Sequence, residues 1–266
     1  MHCASRLSLR SPVNNAGDPH TSPWYSYTCW AEVMMAAQLC VALDGSDRNW
    51  IVTTARNLGP HVNWLKVGLE AFTAHGPDLV REVSTHVPSV FLDLKLHDIP
   101  TTVARAAANC VRLGANLLNV HAGGGRAMME AAAASVRAAD PSGSTKIIAV
   151  TILTSLDTTA LTELGSDHQS ESLVLRWAEL AQQCGLDGVV ASAREAERIR
   201  RVCGPDFLIV TPGIRPSWAA GNDQRRIVTP EDAVSAGSDI LVVGRPITTA
   251  DDPQAAAANI LAEMKS

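Results

Sequence analysis

One stretch of the chain, Phe91–Val103 (FLDLKLHDIPTTV), carries charged residues whose types and spacing could do chemistry. A short apolar run leads into Asp93, Lys95 and Asp98, and Pro100 opens a predicted helix. Because strand side chains alternate between faces, Asp93 and Lys95 can share a face, whereas Asp98 is expected in the turn beyond the strand. Charges at the end of a buried strand are costly unless they pair or take part in a reaction. The stretch therefore predicts either a structural ion pair or a catalytic set.

The composition narrows the classes of protein that could carry this stretch. The 266 residues are 46% hydrophobic, which supports a large core, and the formal net charge of −5 argues against a nucleic-acid-binding surface. The sequence has neither an apolar run of about 18 residues nor a secretory signal, so no membrane partner is expected. The six cysteines are scattered without metal-ligand spacing, which favours inert thiols in a reducing cytoplasm.

The chain is expected to divide into two parts of unequal size. Residues 1–37 lack sustained periodicity and are interpreted as a poorly ordered N-terminal extension, or as sequence upstream of a start at Met34 or Met35. Docking of its aromatic side chains onto the body is the competing possibility. Residues 38–266 are expected to form one catalytic domain.

Within that domain, a short aliphatic run followed by an Ala-rich amphipathic helix repeats eight times. The predicted strands are 39–43, 63–67, 89–94, 116–120, 146–151, 187–190, 207–211 and 239–243. The predicted helices are 46–58, 77–86, 101–113, 125–138, 170–184, 193–202, 230–236 and 252–264. This alternation predicts a single α/β domain, a (β/α)8 TIM barrel. A doubly wound sheet is the alternative, but the LDGSDRNW segment after the first strand lacks its glycine-rich phosphate turn.

The barrel places its chemistry at the carboxyl ends of the strands, and a polar or special residue follows each predicted strand. These residues are Asp44, Lys66, Asp93 with Lys95, His121, Thr151–Ser155, Ser192, Pro212–Arg215 and Gly244 with Arg245. Such a pattern at all eight strands is improbable by chance. We therefore expect a ring of polar groups around one pocket.

The last two strands have the features of an anion site. The segment TPGIR ends in Arg215, and VVGRPIT puts Gly244 and Arg245 ahead of a short helix. Backbone N–H groups around Gly213 and Gly244 could hold phosphate oxygens, with charge-assisted bonds from Arg245. Arg215 could bind the phosphate or could equally anchor its own loop.

Taken together, these segments resemble the orotidine 5′-phosphate decarboxylase family. The resemblance spans about residues 39–250 and includes VALD at 41–44, LKVGLE at 65–70, FLDLKLHDIPTTV at 91–103, NVHA at 119–122, AVTILTS at 149–155, TPGIR at 211–215 and VVGRPIT at 242–248. The DxKxxD core alone is shared with related sugar-phosphate enzymes, whereas the combination with LTS and TPGIR…VVGRPIT is more specific. The N-terminal extension has no counterpart in the compact family pattern.

The resemblance implies a reaction and a catalytic set. The reaction would be cofactor-free and metal-free decarboxylation of orotidine 5′-phosphate to UMP, with Lys95 stabilising a C6 carbanion and then protonating it. The implied catalytic residues are Lys66, Asp93, Lys95 and Asp98, as an alternating charge network. It also implies a homodimer in which Asp98 and Thr102 reach the neighbour's pocket.

The resemblance further implies a set of substrate contacts, to which the phosphate features add. They comprise Asp44 and Thr102, Ser155 on the pyrimidine, Gln224 in a closing loop, and Pro212, Arg215, Gly244 and Arg245 at the phosphate end.

Two alternatives remain open at this point. A Mg²⁺-dependent sugar-phosphate decarboxylase or aldolase of the same superfamily would share the DxKxxD core. A phosphate- or nucleotide-binding barrel without catalysis is the other, although binding alone does not require the Asp93–Lys95–Asp98 alternation.

Overall fold

The computed structural model describes residues 37–156, 158–165, 170–219 and 228–265, and within them eight parallel strands close into a barrel in sequence order. The strands are β1 (Gln38–Ala42), β2 (Trp64–Gly68), β3 (Ser89–Leu96), β4 (Leu117–His121), β5 (Lys146–Val150), β6 (Gly188–Val190), β7 (Leu208–Pro212) and β8 (Ile240–Val243). Strand β8 pairs with β1 and completes the barrel. The predicted (β/α)8 fold is therefore confirmed.

Helices pack around the outside of the barrel. They are α1 (Arg48–Leu58), α2 (Leu69–Ser84), α3 (Pro100–Arg112), α4 (Gly125–Ala139), α5 (Thr158–Glu163), α6 (Ser170–Gln183), α7 (Ala193–Cys203), α8 (Pro230–Ser235), α9 (Arg245–Thr248) and α10 (Pro253–Glu263). None of the helices in the described ranges is long and apolar enough to cross a membrane.

All eight predicted strands are found, with ends that differ by at most two residues. The prediction for α2 was less accurate, because the helix starts at Leu69 rather than at residue 77. Gly76 has a non-helical φ of 65° and Pro77 follows it, so the helix is broken there and only its second part has clear periodicity. The short helices α5 and α9 were not predicted, since four to six residues leave little periodic signal. The predicted extension 1–37 lies outside the described residues except for Ala37, and its poor order stays a prediction.

The barrel interior is filled by apolar side chains from alternate strand positions. This interior cluster comprises Cys40, Ala42, Phe91, Leu117, Ile148, Val210, Ile240 and Val242. A second, larger apolar layer lies between the strands and the helices. The period-two alternation places polar residues directly above this cluster, at the carboxyl end of the barrel.

The amino ends of the strands are joined by a regular set of side-chain contacts. A side-chain oxygen of the residue before each even-numbered strand accepts the second backbone N–H of the preceding odd-numbered strand. The pairs are Asn63 with Leu39 (3.1 Å), Asn116 with Val90 (2.9 Å), Asp187 with Ile147 (2.8 Å) and Asp239 with Ile209 (2.7 Å). These bonds satisfy backbone N–H donors at the amino ends of the strands and fix the strand register there.

Candidate active site

Four charged side chains, from β2, β3 and the segment that follows β1, form one alternating chain at the carboxyl end of the barrel. Asp44 Oδ1 lies 2.8 Å from Lys66 Nζ, which lies 3.3 Å from Asp93 Oδ2. Asp93 Oδ1 then accepts a 2.6 Å bond from Lys95 Nζ. The predicted network of Lys66, Asp93 and Lys95 is thus brought together, and Asp44 extends it.

The two central members of this chain, Lys66 and Asp93, are buried and carry opposite charges. Burial alone would raise the pKa of Asp93, but the ammonium groups of Lys66 and Lys95, with hydrogen bonds from Lys95 and Asn119, hold that pKa below its usual range. Burial alone would lower the pKa of Lys66, but the carboxylates of Asp93 and Asp44 raise it above its usual value. Both groups are therefore ionised at neutral pH.

Gly68 leaves space for the ion pair between Lys66 and Asp44, because it has no side chain. A Cβ at that position would lie 2.9 Å from Lys66 Nζ and 3.1 Å from Asp44 Oδ1. The glycine in the LKVGLE segment therefore has a structural reason that the sequence did not reveal.

Lys95 stands on an irregular piece of backbone. Leu92 pairs with Leu118 and Leu96 pairs with Val120, so β3 has two more residues than β4 across this interval. Lys95 lies in this bulge and has a φ of 53°, the one positive value among non-glycine residues in the described ranges. Bulges beside active sites commonly re-aim a side chain, and the left-handed conformation does so here for the Lys95 ammonium.

A buried amide that the sequence analysis did not select connects these groups. Asn119, 1% exposed, accepts the Lys95 backbone N–H with Oδ1 at 2.8 Å and donates from Nδ2 to Asp93 Oδ1 at 2.7 Å. Asn119 belongs to the NVHA segment and lies two residues after Leu117 of the interior cluster, on the same face of β4. An asparagine at an inward-facing position of a buried strand was the signal that could have found it.

The charge chain faces a cleft of about 420 Å³ that is also lined by the predicted anion-binding residues at the ends of β7 and β8. Its lining includes Asp44, Lys66, Asp93, Lys95, Pro212, Gly213, Arg215, Gly244 and Arg245. Gly213 has a φ of 80°, a conformation that favours glycine at this turn. The backbone N–H of Arg215 donates to Val228 O at 3.1 Å, so Arg215 both lines the cleft and ties the two flanks of its loop together.

A smaller, mostly apolar compartment of about 180 Å³ opens beside Lys95. It is lined by residues that include Val150, Ile152, Leu153, Thr154, Val190, Ala191 and Val210. The predicted contact Ser155 is exposed in the turn after β5, next to this lining but not part of it. Gln224 lies outside the described residues.

Asp98 and Thr102 stand apart from the cleft of their own chain. Asp98 is exposed and its Oδ1 accepts the Ile99 N–H at 2.6 Å, while Thr102 is exposed near the start of α3. Asp98 follows the end of β3 in a bend, as predicted. Their assignment to a neighbouring subunit stays a prediction.

The expectation that polar groups at all eight strand ends surround one pocket was too broad. Ser192 caps α7, since its side chain accepts the Arg194 N–H and its own N–H donates to Glu195. His121 is not among the residues that line the cleft, and its ring lies against that of His97, with 5.5 Å between the centroids and a tilt of 36°. Burial, and next the neighbouring His97 and Lys95, lower the pKa of His121.

The cysteines that the structure describes are not part of the site's chemistry. Cys40, Cys110, Cys184 and Cys203 are free and buried, and burial raises the pKa of Cys110 and of Cys203 to about 11. Across the described ranges, no group of three or more His, Cys, Asp or Glu side chains is arranged to hold a metal ion.

Comparisons with known proteins agree with this geometry. Residues 37–260 match the model of a family described as orotidine 5′-phosphate decarboxylase / HUMPS family. The chain is 53% identical over 232 residues to an orotidine 5′-phosphate decarboxylase of Moorella thermoacetica, covering 86% of this chain and 92% of that one. It is 52% identical to the protein of the same name from Syntrophotalea carbinolica, covering 85% and 94%.

Solved structures give the same result. The crystal structure of orotidine 5′-phosphate decarboxylase from Lactobacillus acidophilus superimposes with a TM-score of 0.76 at 37% identity, covering 86% of this chain and all of the other. An uncharacterized conserved protein from Geobacillus kaustophilus superimposes with a TM-score of 0.75 at 41% identity, covering 85% and 99%. By both the family match and the extent of identity, the chain belongs to the orotidine 5′-phosphate decarboxylase / HUMPS family.

Proposed function

We propose that this enzyme decarboxylates orotidine 5′-phosphate to UMP in pyrimidine biosynthesis, without metal or organic cofactor. The observation that carries the proposal is the chain Asp44–Lys66–Asp93–Lys95 facing a cleft that Gly213, Gly244 and Arg245 also line. A substrate with a reacting carboxylate at one end and a phosphate at the other fits such a cleft. The 53% identity to a protein named for this reaction supports the same conclusion.

The chemistry explains why a fixed ammonium is needed. The bond between C6 and the carboxylate breaks, CO2 leaves, and the electron pair stays on C6 as a carbanion with no conventional electron sink. Lys95 Nζ would stabilise that charge and then deliver a proton to C6, and the resulting amine would regain a proton from solvent. Asp93, bonded to Lys95 at 2.6 Å, would keep the ammonium charged and in place, and its charge would crowd the substrate carboxylate.

One contact does not supply the whole rate acceleration. A pair of unit charges at about 4 Å with an effective dielectric of about 20 is worth roughly 4 kcal/mol. Enzymes typically lower barriers by about 8–23 kcal/mol. The remainder would come from preorganised charges, exclusion of water and binding of the non-reacting ribose and phosphate.

The rest of the cleft would bind those non-reacting groups. Asp44 and Lys66 would contact the ribose hydroxyls, and the apolar compartment beside Lys95 would hold the pyrimidine with Ser155 at its rim. Arg245 and the backbone around Gly213 and Gly244 would hold the phosphate, with Pro212 and Arg215 shaping that end and Gln224 closing over it.

We further propose a homodimer with two shared active sites. Asp98 and Thr102 are exposed and outside the cleft of their own chain, and Ile99 between them is 65% exposed. A neighbouring copy that covers this apolar residue would bring the Asp98 carboxylate to a cleft that it does not reach within one chain. We place the enzyme in the cytoplasm, where its buried free thiols would stay reduced.

A single assay tests the reaction and separates it from the Mg²⁺-dependent sugar-phosphate enzymes grouped in the same superfamily. The loss of orotidine 5′-phosphate absorbance is followed with and without EDTA. We expect full turnover in the chelator. Absence of turnover with retained UMP binding would instead indicate a nucleotide-binding barrel, and turnover that collapses in EDTA would contradict the metal-free mechanism.

A further inference from the structure

We propose that Asn119 is a positioning residue, whose side-chain amide holds the Lys95 backbone and the Asp93 carboxylate in the arrangement that aims the Lys95 ammonium. The inference rests on the proposed decarboxylation and extends it to a residue one layer below the reacting groups.

The first support is the place of Asn119 in the sheet. The bulge in β3 leaves two extra residues between Leu92 and Leu96, and Asn119 is the β4 residue opposite them. The irregular register takes the Lys95 N–H away from an ordinary strand-to-strand bond. The side chain of Asn119 supplies the acceptor instead, at 2.8 Å.

The second support is the closed ring of bonds that the amide completes. Asn119 Nδ2 donates to Asp93 Oδ1, the same oxygen that accepts the Lys95 ammonium. The backbone and the side-chain end of Lys95 are therefore both tied to one buried amide, directly and through Asp93. Because Asn119 is 1% exposed, water does not readily replace either bond.

The third support is the left-handed conformation of Lys95, with φ at 53°. Non-glycine residues hold such a conformation only where the surroundings over-determine it. Without the Asn119 acceptor, the backbone is free to relax toward an ordinary strand conformation, and the ammonium moves with it. Displacements of about 1 Å at a reacting group can lower the rate by about 100-fold.

Asparagine is the side chain that fits both partners. Aspartate keeps an acceptor for the Lys95 N–H but turns a second carboxylate oxygen toward Asp93. Leucine has a similar size and makes neither bond. These two substitutions separate the loss of both bonds from the loss of the donor alone.

Asn116 provides a matched control at the start of the same strand's segment. It lies just before β4 and also accepts a backbone N–H of β3, that of Val90, at 2.9 Å, but it lies at the amino end of the barrel. A substitution there removes an equivalent amide-to-backbone bond without touching the charge chain.

The test measures kcat, KM and thermal stability for the wild type, Asn119→Leu, Asn119→Asp and Asn116→Leu. We expect Asn119→Leu to lower kcat by about 10- to 100-fold while KM changes by less than about threefold, because the substrate-binding groups stay in place. Asn116→Leu should lower stability and leave kcat unchanged.

The pH profile of kcat gives a readout that a merely structural role would not move. Asp93 is faced by Lys66 from β2, Lys95 from its own strand and Asn119 from β4, with Cys40 of β1 and His121 of β4 in the surroundings. In Asn119→Asp, a like charge replaces a donor beside Asp93, so the carboxyl pair takes up a proton at higher pH. The kcat of this variant should therefore fall with decreasing pH in a range where the wild type is still flat.

The outcomes are distinguishable. A wild type without orotidine 5′-phosphate turnover overturns the proposed function and this inference together. An active wild type whose Asn119 variants keep its kcat and pH profile overturns the inference alone, as does an equal loss of kcat in Asn116→Leu. If Asn119→Leu does not fold, the profile of Asn119→Asp decides.

Discussion

The two ends of the barrel use polar side chains on neighbouring strands in different ways. At the amino ends, Asn63, Asn116, Asp187 and Asp239 each accept a single backbone N–H. At the carboxyl ends of β1 to β3, charged side chains bond to one another in a continuous chain. The first arrangement satisfies the backbone, and charged partners are added only at the two aspartates, where Arg200 bonds to Asp239 and Lys146 lies 3.7 Å from Asp187. The second concentrates buried charge, which neighbouring charges and the Asn119 amide stabilise, as a site for reaction requires.

The difference continues in the backbone. The half of the barrel nearer the amino ends of the strands, called the lower half here, has regular strand pairing and an apolar cluster around Phe91 and Leu117. Two residues further along β3, the pairing becomes irregular and Lys95 adopts a left-handed conformation. The apolar interior cluster therefore lies in the lower half, and the strained backbone lies where the chemistry is proposed. Substitutions in the two halves should separate activity from stability.

The largest expected effect is that of Lys95→Ala at the upper end. Removing the ammonium beside C6 should lower kcat by at least about 1,000-fold, the rate equivalent of a charge interaction of about 4 kcal/mol. The measurement is turnover of orotidine 5′-phosphate together with UMP binding, which should be retained.

Lys146→Ala is the matched control for that loss. Lys146 lies at the start of β5, with Nζ 3.7 Å from Asp187 Oδ1 at the opposite end of the barrel. Its removal should leave kcat unchanged. Near-normal turnover in Lys95→Ala would refute the proposed role of Lys95.

Arg245→Ala should act on substrate binding in the same cleft. Charge-assisted hydrogen bonds of an arginine to a phosphate are worth about 1.5–3 kcal/mol, so KM should rise by about 10- to 100-fold. Steady-state kinetics with Arg201→Ala as the control checks this, since Arg201 is 71% exposed in its side chain and pairs with Glu197 on α7. An unchanged KM would remove Arg245 from the phosphate site.

Ile240→Ala should show the reverse behaviour, a loss of stability without a loss of catalysis. Ile240 is 3% exposed and belongs to the interior cluster at the start of β8. Truncating a buried isoleucine to alanine lowers the free energy of unfolding by about 2–5 kcal/mol. Urea unfolding and kcat measured well below the melting temperature check the prediction, and Ile240→Val should lose about 0.5–1.5 kcal/mol. A large fall in kcat would show that the two halves are coupled.

His121, at the carboxyl end of β4, should make the free energy of unfolding depend on pH. Its pKa in the folded protein is lowered from 6.5, mainly by burial and next by His97 and Lys95, so the unfolded chain binds the proton more readily. This contribution to stability is present above pH 6.5 and is lost as pH falls through the lower folded pKa. His121→Gln should therefore show a smaller decrease in unfolding free energy than the wild type between about pH 7 and pH 5. The same change of unfolding free energy with pH in His121→Gln and in the wild type, measured by urea unfolding, would contradict the prediction.

The sequence was sufficient for the fold because the signals that define it are local. Each of the eight strands has its own apolar run, and Asp93, Lys95 and Lys66 follow from where such runs end. The pattern could also place Arg215, Gly244 and Arg245 near one cleft, because all parallel strands of a barrel point to the same end.

The sequence could not predict the contacts that depend on irregular geometry. Alternation implies that Asp93 and Lys95 share a face, but it does not predict the bulge that re-aims Lys95 or the Asn119 amide opposite it. Nor does a polar residue after a strand reveal its partner, and Ser192 proved to cap a helix. These features depend on pairing between distant segments, which no single segment encodes.

The smallest expected effect tests the strain at Lys95 itself. A left-handed conformation costs a non-glycine residue about 1–2 kcal/mol, and glycine avoids most of that cost. Lys95→Gly should therefore be more stable than Lys95→Ala by about 1 kcal/mol, although both lack the ammonium. At Leu96, which has a negative φ, the order should reverse, because glycine in a strand only adds conformational freedom to the unfolded chain. The measurement is urea unfolding of Lys95→Gly, Lys95→Ala, Leu96→Gly and Leu96→Ala. If glycine is the less stable substitution at both positions, the bulge holds Lys95 without strain. The two ends of the barrel would then differ in charge alone.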